Sequence, residues 1–173
     1  VTVKSTSTYR VALVIKSKKY RLTGNIDNTD PAYKRIKGIG VADLEAKMVL
    51  KRCSPLDNTK EAKISSEIVN EFTQKSRIIL DNHEVNKKRI NEGKLKANVL
   101  LCRDAGSIIP KFPFLCDRYD LSFVCLADMN VERGISLLAG MSLVDLPPPS
   151  NDLEYDCKIR IQRLIEVLAD HDC

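Results

Sequence analysis

The chain has 173 residues, 28 Lys and Arg against 23 Asp and Glu (a net charge of +5), and 43% hydrophobic residues. That is the composition of an ordinary soluble globular protein, long enough for one domain or two small ones. No apolar run approaches the roughly 18 residues of a membrane span, and +5 spread over the whole length is weak ground for nucleic-acid binding, so neither a membrane nor a nucleic acid is expected as a partner.

Residues Tyr9–Lys16 are rich in β-branched side chains and predict a well-buried strand, with Lys19–Leu22 as its hairpin partner or a loop. Thr23–Pro31 is dense in Asn, Asp, Gly and Pro, which predicts a loop closed by side-chain-to-backbone hydrogen bonds. Gly38 and Gly40 prolong the irregular region, and Met48–Leu50 is a short strand candidate. Asn58 and Glu61 resemble a capping box, and Ile64, Ile68, Val69, Phe72, Ile79 and Leu80 recur at helical spacing, which predicts a helix over Thr59–Leu80. A second short helix is expected over His83–Asn91, stopped by Gly93. Ala97–Cys102 and Ser122–Ala127 predict buried strands. Asn130 is expected to cap a helix over Val131–Ala139 that ends at Gly140, and Ser142–Leu146 to form a third strand. Pro147–Asn151 is a rigid loop, and the last helix is expected over Leu153–Leu168, with Leu153, Cys157, Ile161, Leu164 and Leu168 on one face. Strands and helices alternate from residue 97 onward, the pattern of an α/β layer, whereas residues 1–95 read as α+β.

The residue inventory removes much chemistry. The only histidines are His83 and His171, so no His-rich metal centre can form within this chain. Cys53, Cys102, Cys116, Cys125, Cys157 and Cys173 are widely spaced with no C-x-x-C pair, which disfavours a zinc ribbon or a redox centre and fits a reducing compartment. There is no nucleophile elbow, P-loop or dinucleotide fingerprint. Two basic residues sit where open α/β sheets bind ligands. Arg103 directly follows the strand expected at 97–102, and Arg133 lies in the first turn of the helix after 122–127. A cation there opposes the helix dipole unless the site holds an anion; the plain alternative for each is a surface Arg with a solvated head. Asp27–Pro31 carries enough oxygens for half a cation loop but lacks the remaining ligands, so a turn fixing the loop is the simpler reading. His83 stands at a helix boundary, where capping or packing competes with catalysis. The residues alone point to an anion-binding α/β protein.

Several stretches together resemble the archaeal type of 2,3-bisphosphoglycerate-independent phosphoglycerate mutase, of the alkaline phosphatase superfamily. They are Asn25–Tyr33, Glu67–Phe72 with Lys75-Ser76, His83-x-Val-Asn86, Gly93–Gly106, Ala127–Ile135, Ala139–Met141 and Pro147–Pro149. The matches run in the family's order over nearly the whole chain. The resemblance implies an α+β inserted substrate-clamp domain over residues 1–117, followed by part of an α/β phosphatase-like core over 118–173. It implies a cytoplasmic enzyme of glycolysis and gluconeogenesis that interconverts 3- and 2-phosphoglycerate through a phosphoserine, without 2,3-bisphosphoglycerate. A divalent metal (Mn2+, Zn2+ or Mg2+) is expected in the parent enzyme, with none bound by this segment.

Carried over by motif, Arg103 matches a substrate-binding Arg, Asp30 an acidic residue that holds glycerate hydroxyls, and Arg133 a basic residue offered to the phosphoryl group. His83 and Asn86 match a stretch that shapes the site. The family's His-Pro-Val-Asn reads His83-Glu-Val-Asn86 here, its Leu-Pro-Ala-Asn reads Leu95-Lys-Ala-Asn98, and its Pro-Pro-Pro-Thr-Gly reads Pro147-Pro-Pro-Ser-Asn151. These departures touch loop geometry and delete no charged site residue. The nucleophilic Ser and the metal ligands are expected outside this stretch, in the rest of the same enzyme chain. The piece alone is therefore expected to be inactive and to expose apolar edges where further strands would pair. A related phosphomutase, a phosphonopyruvate decarboxylase-like protein and a non-catalytic anion-binding module remain as alternatives.

Overall fold

The computed structural model describes residues 1–6, 9–109 and 111–173. They form two compact units, one of Lys16–Ile109 and one of Val1–Ile15 with Pro110–Cys173. The class is mixed α and β, with helices and three small two-stranded sheets.

The first sheet pairs β1 (Thr2–Ser5) with β2 (Val11–Val14) in antiparallel register, Thr2 opposite Val14 and Ser5 opposite Val11. The strand expected over 9–16 therefore forms, but its partner is Thr2–Ser5 and not Lys19–Leu22. Nor is it well buried, since Val11 and Val14 are both exposed. β-branched residues favour extended backbone, and that preference alone covers neither face of a two-stranded ribbon.

Within 16–109 the second sheet is a hairpin where only an irregular region was expected. β3 (Tyr33–Ile36) pairs with β4 (Ile39–Ala42) across Lys37-Gly38. Both turn residues have positive φ, 50° at Lys37 and 84° at Gly38, which is the two-residue turn whose twist matches that of the strands. Met48–Leu50 forms no strand; Met48 and Val49 are exposed. The helix α1 (Lys60–Asp81) starts at Thr59, whose hydroxyl accepts from the Ala62 amide, so Thr59 and not Asn58 is the cap. Its buried stripe is Ala62, Ser65, Ser66, Val69, Thr73 and Ser76. Ile64, Ile68 and Phe72 flank that stripe half-buried, while Ile79 is exposed. The helical period was legible; the buried face is instead set by small side chains, because loop backbone packs against it. The Thr23 amide donates to Ser65 Oγ at 3.0 Å. Asn70 brackets Cys53, accepting from its amide and donating to its carbonyl, both at 2.9 Å.

A short helix, α2 (Glu84–Asn91), follows with His83 as its cap, and Gly93 (φ 69°) closes its end. Ala97–Cys102 forms no strand and is at most half-buried. Among the described residues no strand lies alongside it, and buried side chains take the place of a ladder. Asn86 accepts from the Ala97 amide (2.7 Å) and donates to the carbonyls of Ala97 (3.1 Å) and Leu80 (2.6 Å).

In the other unit, α3 (Leu115–Tyr119) precedes β5 (Val124–Cys125), α4 (Asn130–Leu138) and β6 (Ser142–Leu143). β5 and β6 pair in parallel across α4, a small β-α-β unit. Both strands are shorter than the sequence suggested. Asn130 is the first helical residue and does not cap α4, whose cap is Met129 with no side-chain hydrogen bond. Phe114 packs where a Cβ on Gly140 (φ 74°) would collide, so this helix end requires glycine. The last helix, α5 (Leu153–Val167), is capped by Asp152, and its residues Leu153, Ile161 and Ile165 are exposed. All six cysteines are free thiols.

Two outcomes follow from the packing. Asn86→Ala removes a buried side chain and strips the partners from the Ala97 amide and the Ala97 and Leu80 carbonyls, so it should lower stability by about 1–3 kcal/mol. Urea unfolding checks this, and an unchanged midpoint would contradict it. Burial, with the Asp27 charge behind it, pushes the Cys53 thiol up to about 11. Its thiolate therefore forms only as pH climbs past the ordinary value of 9.0 toward that point. At pH 8 iodoacetamide should label exposed Cys157 and Cys173 in the native protein and spare Cys53, as read by peptide mass spectrometry; equal labelling would refute this.

Candidate functional site

Two irregular segments and one hairpin build the candidate site in the unit 16–109. Asn28 and Thr29 are buried in the first segment, 1% and 0% exposed, and both reach the second. The Thr29 amide donates to the Cys102 carbonyl and Thr29 Oγ1 accepts from the Cys102 amide, both at 2.8 Å. Asn28 Oδ1 accepts from the Asp104 amide at 3.1 Å, and its Nδ2 donates to the Tyr33 carbonyl at 3.4 Å. These bonds hold the residues on both sides of Arg103. Asp104 itself has φ 57°, a left-handed conformation that costs a non-glycine residue free energy and persists where neighbours impose it.

Arg35, on β3, ties the same segments from the other side. Its Nη1 donates to the carbonyls of Gly24 (2.9 Å), Ile26 (2.9 Å) and Ala105 (3.4 Å), and its Nη2 to that of Gly38 (3.2 Å). Its Nε is buried with no partner among the described residues. The backbones meet closely here, since a Cβ on Gly24 would stand 2.6 Å from Gly106 Cα. Arg35 was not singled out from the sequence. The signal available was its place two residues after Tyr33, on the same face of a strand that leads into Lys37-Gly38.

Arg103 lies on this framework. Its guanidinium carbon stands 3.9 Å from the centroid of the Tyr33 ring, and its Nε is 3.6 Å from Asp104 Oδ2, beyond hydrogen-bond distance. The Tyr33 side chain foremost, with the charges of Asp104 and Asp30 behind it, pushes the guanidinium pKa up. Asp30 shares this surrounding, and its Oδ1 accepts from the Ala32 amide at 3.0 Å. The loop around Asp30 is the Asx-type turn that its composition suggested. The structure thus gathers Arg103, Asp30, Tyr33 and Asp104.

His83 and Asn86 have other attachments. His83 is exposed, and its Nδ1 accepts from the Val85 amide at 3.2 Å as a helix cap. Asn86 spends both ends of its amide on Leu80 and Ala97. Arg133 belongs to the other unit, in the first turn of α4. Its Nη1 donates to the carbonyls of Ala127 (3.4 Å) and Val144 (3.3 Å), just past the carboxyl ends of β5 and β6. Its Nη2 pairs with the carboxylate of Asp145 at 2.9 Å, which is 95% exposed. Among the described residues no group of three or more His, Cys, Asp or Glu comes together that could hold a metal ion, and no helix is long and apolar enough to cross a membrane.

Comparison with known proteins supplies the frame for this geometry. A family model described as 2,3-bisphosphoglycerate-independent phosphoglycerate mutase matches residues 1–86. The chain is 35% identical over 170 residues to the protein of that name from Aeropyrum pernix, covering 98% of this chain and 40% of the relative. It is 30% identical over 164 residues to mutase 1 of Archaeoglobus fulgidus, covering 95% and 36%. Among solved structures it is similar to the cofactor-independent phosphoglycerate mutase of Thermoplasma acidophilum, with a TM-score of 0.56 and 26% identity over 98% of this chain and 41% of that one. The chain spans about two fifths of the length of these relatives. Over nearly its whole length the chain is therefore similar to a part of the 2,3-bisphosphoglycerate-independent phosphoglycerate mutases of archaeal type.

Proposed function

We propose that this chain supplies the substrate-binding portion of a metal-dependent phosphoglycerate mutase that interconverts 3- and 2-phosphoglycerate through a phosphoserine. The observation that carries the reading is Arg103, stacked on Tyr33 and left without a carboxylate at hydrogen-bond distance. A guanidinium carbon held over an aromatic ring leaves its edge donors for a second group, and that fork matches carboxylate or phosphate oxygens two at a time. Arg35 is the internal contrast, since it gives its donors to four carbonyls and holds the fold.

In this reading Arg103 holds an anionic end of the substrate. Asp30, with Oδ1 engaged by Ala32, offers its other oxygen to a glycerate hydroxyl. Asn86 and His83 shape the segment before Arg103 without touching substrate. Arg133 is aimed by two carbonyls, and its pair with highly exposed Asp145 is weak enough for a phosphoryl oxygen to replace it. The nucleophilic Ser and the divalent metal belong to the rest of the complete enzyme. An inserted clamp over residues 1–117 and a part of a phosphatase-like core over 118–173 belong to the same proposal. Glycolytic work in the cytoplasm is part of the same proposal.

The test is Arg103→Ala in the complete enzyme, assayed with 3-phosphoglycerate by coupling 2-phosphoglycerate to enolase. Loss of one charge-assisted contact, roughly 1.5–3 kcal/mol, should lower kcat/KM by more than about tenfold. A near-normal value would remove Arg103 from the clamp. Absence of 2-phosphoglycerate with the unaltered enzyme would reject the mutase reading.

A further inference from the structure

The carboxyl ends of β5 and β6 carry a second arginine that no family motif singled out. Arg160 lies in the middle of α5, and its Nη2 donates to Asp128 Oδ2 at 2.5 Å. Its Nη1 donates to the Asp156 carbonyl one turn earlier, at 3.0 Å. Both members of the ion pair are largely covered, with side chains 28% and 31% exposed. Asp128 is the residue after Ala127, in the four-residue connection between β5 and α4. The Ala127 carbonyl is one of the two that receive Arg133 Nη1. The network continues on the far side, where the carboxylate of buried Asp156 accepts from the Ser150 amide at 2.9 Å and so joins the proline loop to α5.

One set of contacts therefore runs from α5 through Arg160 and Asp128 to the peptide that aims Arg133. We propose that Arg160 is a positioning residue. Its ion pair with Asp128 sets the β5–α4 connection so that Arg133 faces an anion at the strand ends. The connection needs such a tether because its helix cap, Met129, contributes no side-chain hydrogen bond. Arg133, unlike Arg160, is paired only with a highly exposed carboxylate. The two arginines thus divide the work, a covered pair holding the turn and an exposed one exchanging partners. This rests on Arg133 acting in the mutase as proposed above.

The test is a mutant cycle in the complete enzyme, read as kcat and KM for 3-phosphoglycerate with thermal unfolding of each variant alongside. Arg160→Ala and Asp128→Asn should each lower kcat/KM by about fivefold or more, in the same parameter that Arg133→Ala lowers. In an Arg133→Ala background, Arg160→Ala should change kcat/KM by less than about twofold, because the group it positions is gone. Arg160→Lys, which keeps a charge for Asp128, should recover most of the loss. If Arg133→Ala is damaging while Asp128→Asn is silent, or if the losses in the double variant multiply, the positioning role is overturned and the mutase reading stands. If Arg133→Ala is itself silent, both the phosphoryl role of Arg133 and the positioning role fail. If Arg160→Ala does not fold, Asp128→Asn and Arg160→Lys decide the question, because neither removes the cation from α5.

Discussion

The unit that carries Arg103 depends on buried side chains doing the work that a β-ladder does elsewhere. Loop backbone is laid against a helix face made of Ala62, Ser65, Ser66, Thr73 and Ser76, and a loop so placed must satisfy its amides and carbonyls. Asn28, Thr29, Asn70 and Asn86 provide those partners. Each such bond adds about 1 kcal/mol or less beyond what water would supply, but an orphaned buried group would cost more. The constraint thus acts through specificity of position: Thr29 bonds both backbone groups of Cys102, Asn28 the Asp104 amide and Asn70 both backbone groups of Cys53. Small side chains on α1 are part of the same constraint, because Ile or Leu at Ser65 or Ser66 would hold the loops away.

This scaffold explains why Arg103 and Arg35 have different fates on neighbouring segments. Arg35 points under the loops, where carbonyls converge, and is consumed as a bracket. Arg103 emerges between two residues whose amides are pinned by Thr29 and Asn28, with its guanidinium carbon over the Tyr33 ring. Pinning on both sides, together with the left-handed Asp104, leaves the chain little freedom at that point. A cation held this way loses little entropy on meeting an anion, which is the usual advantage of preorganisation. The β-α-β unit uses a different device for Arg133, with two backbone carbonyls at strand ends setting its direction.

Much of this was legible in the sequence, for identifiable reasons. The long helix announced itself by its apolar period and α2 by its Gly93 stop, although the caps expected at Asn58 and Asn130 are not the caps used. The loop at 23–31 was marked by its Asn, Asp and Pro, and the ordered motifs around Asp30, Arg103 and Arg133 pointed to the family. Other features were hidden. Ala97–Cys102 has the composition of a buried strand, but composition cannot report whether a partner lies beside it. The hairpin at 33–42 was obscured because Lys in place of Asn or Asp weakens the turn signal before Gly38. The buried face of α1 was misassigned because hydrophobicity marks what can be buried, whereas close approach of backbone selects for small side chains. Arg35 and Arg160 could not be told from surface cations until their partners, distant in sequence, were in place.

The central claim is that Arg103, held on Tyr33 by the Asn28 and Thr29 anchors, receives the substrate. The most direct measurement is a crystal structure of the complete enzyme with 3-phosphoglycerate bound. The account predicts a substrate carboxylate or phosphate oxygen at hydrogen-bond distance from the Arg103 guanidinium, with the Tyr33 stack and the Thr29–Cys102 pair unchanged. A bound substrate with no oxygen near Arg103, or one reached only after those anchors break, would contradict it.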